Sequence, residues 1–116
     1  MTSAPYQYLS TERATEFIGD ASGVNRLLGT LKDTLSTDLP KLRQHLATGD
    51  TRGLNDLLHQ FKGFAPVFCV DSLVDLVIEV EALSKHAPIE ALAPAMTPLL
   101  EQLTVLQAEV ERQLRG

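Results

Sequence analysis

Between Val24 and Leu46 the apolar residues Val24, Leu28, Leu31, Leu35, Leu39, Leu42 and Leu46 follow one another at steps of three or four. That spacing draws one apolar stripe along an α-helix, and a strand cannot present it on a single face. Pro40 interrupts the segment, and a proline inside a helix costs about 3 kcal/mol. The stripe keeps its phase on both sides of Pro40, so the pattern predicts one kinked helix over residues 23–48. A stripe this long is stable in water only when other helices cover it.

The remaining segments supply those helices. Ser10 is placed to cap a short helix running to Phe17, Gly19-Asp20 breaks it, and Ser22 is a candidate cap for the long helix. Gly49-Asp50 reads as a stop followed by a new cap. A third helix from Thr51 carries Leu54, Leu58, Phe61, Ala65 and Phe68 inward, and Pro66 predicts a kink or an end at Ala65. Asp71-Ser72 is expected to cap a fourth helix over 72–86, with Leu73, Leu76, Val80 and Leu83 on one stripe and Val74, Val77 and Ile78 on another. Leu92, Met96, Leu99, Leu103, Leu106, Val110 and Gln113 mark the last helix. Pro94 and Pro98 place its clean start at Thr97-Pro98 and its end near Leu114. The expected fold is all-α: an up-down-up-down antiparallel four-helix bundle with a short N-terminal helix packed across one end. The whole chain, 1–116, reads as a single domain, with residues 1–9 as a loose lead-in.

Composition narrows the function. Aromatic residues are 5% of the chain, which suits helices better than a sheet sandwich. One cysteine excludes an internal disulfide framework and a multi-cysteine zinc site. A net charge of −5 argues against nucleic acid as the main partner. The longest apolar run, near Phe64 to Val70, is too short for a membrane span and contains Pro66. The N-terminal residues lack the pattern of a secretory signal, and the expected setting is cytoplasmic.

Three histidines are present: His45, His59 and His86. No two share metal-site spacing on a helix, so no metal is expected. His45 lies near a helix end and His86 in the expected last turn of the fourth helix, and both read as surface or capping residues. His59 is different. It falls mid-helix on the face opposite the apolar stripe, among Arg52, Asn55, Asp56, Lys62, Gly63 and Pro66. A solvated polar face that happens to hold a histidine is the plain alternative. Gly63 bears on that choice, because alanine there would favour the helix by about 0.8–1 kcal/mol. A glycine in such a place marks a close approach by another backbone or a packing constraint. Neutral imidazole can attack phosphorus, and a lysine ammonium can balance phosphoryl charge. Glu81 falls on an apolar side of the fourth helix and needs a partner there. With the third and fourth helices as antiparallel neighbours, it would meet the region of His59. A solvated glutamate at the bundle edge is the competing reading.

The stretch LHQFKGFAPVFCVDSLVDLVIEVEAL, Leu58 to Leu83, resembles the histidine-containing phosphotransfer (HPt) domain. The family pattern runs H-x-L-K-G-S-x-x-x-G-A, then a leucine, a small or apolar residue, and a glutamate or glutamine. His59, Phe61, Lys62 and Gly63 match its centre, Ala65 its small-residue region, and Leu73, Val77 and Glu81 its later positions. The lead-in ATGDTRGLNDLLHQFKG is similar to the family's entry to the histidine, and Pro40 falls where many members tolerate a proline. Three departures stand out: Phe64 for the small residue after the glycine, Cys69-Val70 for Gly-Ala, and Pro66 within the helix. They bear on partner choice and turn geometry more than on chemistry. Cys69 reads as a small buried apolar residue.

The resemblance implies a phosphorelay intermediate without kinase activity of its own. His59 would take a phosphoryl group on Nε2 from a receiver-domain aspartyl phosphate and pass it to another receiver. Lys62 would steady the phosphoryl oxygens, Gly63 would clear room for the receiver, and Glu81 would orient the histidine. Arg52, Asn55, Asp56, Gln60 and Phe64 are candidate partner contacts; Phe64 either touches the partner or packs inward, with packing the favoured of the two. The chain would hold no cofactor, the receiver would bring Mg2+, and a hybrid sensor kinase would be a further partner. Such domains commonly act as monomers. The alternative is an HPt-like bundle that binds a receiver or kinase without being phosphorylated. A metal-binding four-helix bundle is set aside, because it needs inward Glu-x-x-His pairs that the sequence lacks.

Overall fold

The computed structural model describes residues 6–116, which form α1 (Thr11–Ile18), α2 (Ala21–Thr48), α3 (Thr51–Phe68), α4 (Asp71–Ser84) and α5 (Ile89–Arg115). Each boundary has a local cause. Ser10 Oγ accepts from the Arg13 amide at 3.1 Å and opens α1. Asp20, not the expected Ser22, caps α2: its carboxylate accepts from the Gly23 amide at 2.6 Å, and Ser22 donates to it. A carboxylate at a helix N-terminus also gains from the helix dipole, which a hydroxyl does not. These contacts, led by the Gly23 amide, hold Asp20 below the usual carboxylate range. Asp50 caps α3 through the Gly53 amide at 2.9 Å. Gly19 and Gly49 end α1 and α2 at φ of 101° and 72°, where a side chain would be strained.

Three expected boundaries shift. Helix α3 runs through Pro66 to Phe68, because buried Ala65 and Phe68 continue its inward stripe. Helix α4 has no side-chain cap at Val70. Asp71 binds Arg13 at 2.7 Å instead, and Arg13 also donates to the Cys69 carbonyl at 2.7 Å. That helix stops at Ser84, which leaves His86 just beyond its end. Helix α5 begins at Ile89, eight residues before the expected Thr97, and carries both Pro94 and Pro98. Both prolines are exposed, so the carbonyls they leave unpaired can turn to water. Leu92, Met96 and Leu99 are each 0% exposed along the same helix. Burying each contributes about 1.5–3 kcal/mol, comparable to the cost of a proline.

Contacts join α2 to α3, α3 to α4, α4 to α5 and α5 to α2, which closes a ring of four helices. Helix α1 touches α2 and α3. The 44 Å long axis matches the roughly 42 Å that a helix the length of α2 spans. The core holds the apolar stripes of α2, α3 and α5, together with Leu73, Val74, Val77 and Val80 of α4. Ile78 departs from its expected stripe and is 44% exposed. No described helix is long and apolar enough to cross a membrane.

The lead-in expected to be loose is tied down over residues 6–9. Buried Glu109 accepts the amides of Gln7, Tyr8 and Leu9 at 2.6, 3.0 and 3.0 Å. Tyr6 donates to Gln113, and Arg112 sits over the Tyr6 ring. Leu9 pairs with Cys69 as an isolated bridge, and the Val70 amide donates to the Tyr8 carbonyl. Residues 1–5 lie outside the described residues.

Candidate functional site

Two neighbouring helices build the site. The apolar side of α3 (Leu54, Leu58, Phe61 and Ala65) is buried, which turns His59 outward with its side chain 70% exposed. Lys62 and Gly63 follow one turn later on the same side. From α4, Glu81 enters the α3–α4 seam with only 2% of its side chain exposed. The expected meeting of Glu81 with the His59 region is present: His59 Nδ1 stands 3.7 Å from Glu81 Oε2. That separation is too long for a hydrogen bond and short enough for an electrostatic contact.

The buried carboxylate is well supplied with partners. Lys62 Nζ donates to Oε1 at 3.2 Å, and Lys85 Nζ lies 3.6 Å from Oε2. The Asn55 amide reaches Oε2 and the Glu81 carbonyl, both at 3.4 Å, and Ser84 Oγ at 2.9 Å. Ser84 in turn donates to the Glu81 carbonyl at 2.6 Å. Burial alone would raise the Glu81 pKa. The hydrogen bond and charge of Lys62, the charge of Lys85 and the Asn55 amide outweigh it and hold the carboxyl below the ordinary glutamate range. Glu81 is therefore an anion next to His59 at neutral pH.

Gly63 is exposed, and a Cβ built on it would meet nothing within 4 Å. Among the described residues no close approach accounts for the glycine.

Among the other candidate contacts, Arg52, Asp56 and Gln60 are exposed on the His59 side of α3. Asn55 is half-buried and its amide is spent on Glu81 and Ser84, so it supports the site from within. Phe64 is half-buried and packs against the core, its ring 5.0 Å from that of Phe61. It lines a small groove with Leu27, Leu31 and Phe68, on the α2 side of the helix. Sequence reasoning missed Lys85 and Ser84. The spacing of Glu81 and Lys85, four apart on one helix, was a legible signal for the first. Burial pushes the Cys69 thiol up to about 12, which fits an inert core residue.

An open concavity of about 610 Å³ lies in front of the histidine, lined by Asn55, Asp56, His59, Gln60, Glu81 and Lys85. It presents an exposed imidazole, a buried anion and cations within reach, a set suited to receiving a charged group brought by a partner. Among the described residues no group of three or more His, Cys, Asp or Glu side chains is placed to hold a metal ion.

The family model of the Hpt domain matches residues 26–114, well over half of the chain. The protein belongs to the Hpt domain family, and that membership supports a phosphotransfer role in phosphorelays. No curated protein and no solved structure matches the chain.

Proposed function

We propose that this protein is a phosphorelay intermediate that carries a phosphoryl group on His59. The observation that carries the reading is the histidine's placement: its ring is exposed, while Nδ1 faces a buried carboxylate held ionised by its partners. In neutral imidazole one nitrogen holds the proton and the other is the nucleophile. Glu81 favours the proton on Nδ1, which leaves the lone pair on Nε2. That lone pair attacks the phosphorus of a receiver's aspartyl phosphate. The N–P bond forms as the acyl P–O bond breaks, and the aspartate carboxylate leaves with the bonding electrons. The Nδ1 proton stays on the ring, where Glu81 balances the imidazolium charge. Reversal onto a second receiver passes the group on.

A lysine ammonium balances the developing phosphoryl charge; Lys62, one turn on along α3, and Lys85 both stand at the same carboxylate. Gly63 leaves the surface clear for the docked receiver, and Arg52, Asp56 and Gln60 surround that surface. The receiver brings the Mg2+ that the transfer needs, and a hybrid sensor kinase is the upstream source. The protein acts as a cytoplasmic monomer. Its helices run up-down-up-down, a reading supported by the pairings of Asn55 with Ser84 and Lys62 with Glu81, and of Ser36 with Gln107 and Arg43 with Thr104.

Incubation with a phosphorylated receiver tests the reading. Acid-labile label is expected on the wild type and absent from His59→Gln. Label persisting in that variant would overturn the assignment. A stable complex without label would favour a module that binds but is not phosphorylated.

A further inference from the structure

The two lysines at Glu81 are not equivalent. Lys62 takes Oε1 at 3.2 Å with its side chain 34% exposed. Lys85 takes Oε2, the oxygen that also faces His59, at the looser 3.6 Å and with 57% of its side chain exposed. Lys85 therefore lies no farther from Nδ1 of His59 than the two contacts through Oε2 laid end to end. It also lines the concavity in front of His59, and Lys62 is not among the residues that do.

We infer that Lys85 is the cation that binds the phosphoryl group on His59, while Lys62 remains on Glu81. The inference rests on the phosphotransfer reading and assigns a residue within it. A long, exposed ammonium exchanges partners at little cost, because its contact with Glu81 is solvent-screened. A phosphoryl group carries nearly two negative charges and three acceptor oxygens, against one charge on the carboxylate. When it forms on Nε2, Lys85 swings from Oε2 to a phosphoryl oxygen. Glu81 does not become an unpaired buried anion, because Lys62 and Asn55 still hold it and His59 is now cationic beside it. Asp56, also on the rim of the concavity, is the one further acidic side chain lining it. Its charge opposes a phosphoryl group, which adds to the need for a mobile cation.

Phosphoramidate tests this without a receiver. Its P–N bond breaks, ammonia leaves, and a new N–P bond forms on imidazole. The His59 adduct is the phosphorus resonance present in the wild type and absent from H59Q. Its chemical shift is then followed with pH in wild type, K85Q, K85R and K62Q. A cation against the phosphoryl oxygens favours the more charged form and lowers the titration midpoint. The midpoint is expected to rise by about half a pH unit in K85Q, to move less in K62Q, and to return to the wild-type position in K85R. Coincident curves for wild type and K85Q, or the full displacement in K62Q alone, would overturn the assignment. So would a wild type with no resonance that H59Q removes. The phosphotransfer reading fails on a different result: no label on the wild type from any phosphorylated receiver.

Discussion

Oε2 of Glu81, buried in the seam between α3 and α4, stands 3.7 Å from Nδ1 of the exposed imidazole of His59. The pairing sets a fixed anion behind a histidine whose far side is open to a partner. Replacing the carboxylate by an amide keeps the shape and removes the charge. Glu81→Gln is expected to slow phosphoryl acceptance about tenfold, equivalent to about 1.4 kcal/mol of barrier. Rates of label uptake from a phosphorylated receiver measure this, and an unchanged rate would show that the anion does not act on the imidazole.

The same carboxylate gives stability a dependence on pH. Its pKa is lower in the folded chain than the ordinary value near 4.3 that it takes when unfolded. The unfolded chain therefore binds the proton first. The stabilisation is complete above the unfolded value and is lost as pH falls through that value toward the folded one. Urea midpoints for wild type should decline between about pH 5 and pH 3 more steeply than those of Glu81→Gln. Parallel curves would mean that Lys62, Lys85 and Asn55 give the anion no net preference.

Gly63 separates folding from docking. Space for a Cβ is open, so Gly63→Ala should stabilise the isolated protein by about 0.8–1 kcal/mol through helix propensity alone. Gly63→Gln should also fold and yet lose transfer from a receiver, because its side chain occupies the surface the partner needs. A Gly63→Gln variant with full transfer would remove the docking role. A destabilised Gly63→Ala would point to a neighbour inside the chain.

Spacing alone made much of this legible. The outward face of His59, Lys62 and Gly63 followed from the inward stripe of Leu54, Leu58 and Phe61, whereas the place of Glu81 among the valines of α4 allowed either a buried carboxylate or a solvated one at the bundle edge, and the fold buries it. What spacing could not resolve was competition between partners. Asp71 has the character of a cap, but Arg13, distant in sequence, claims it. Pro94 and Pro98 argue locally against a helix, yet burial of Leu92, Met96 and Leu99 overrides them. Asn55 sits on the outer side of α3 by its angle, and turns inward because α4 offers Ser84 and Glu81. Lys85 acquires its meaning only once α3 brings His59 to the same carboxylate oxygen.

Phe64 tests packing against recognition. Its contact with Phe61 and its half-buried place against the core predict that Phe64→Ala lowers stability by about 1–2 kcal/mol, less than a fully buried phenylalanine would. Phe64→Leu should recover most of that loss. If recognition dominates instead, Phe64→Ala will melt within about 0.5 kcal/mol of wild type and transfer more slowly from a receiver.

Glu109 anchors the N-terminal strap, and its three amide bonds cross about a hundred residues of sequence. Hydrogen bonds to a charged acceptor are stronger than neutral ones, and a buried amide left without a partner is costly. Glu109→Gln keeps one acceptor oxygen and puts an amide NH2, a donor, where the other stood, so the Gln7, Tyr8 and Leu9 amides cannot all be served. The expected loss is about 2 kcal/mol, or roughly 6–10 °C in Tm. Hydrogen exchange at those three amides should speed up more than at the buried amides of α3. Since His59 lies far along α3 from the Leu9–Cys69 pairing, label uptake at 20 °C should stay near wild type. A large fall in uptake with the fold intact would mean that the strap also shapes the phosphoacceptor face.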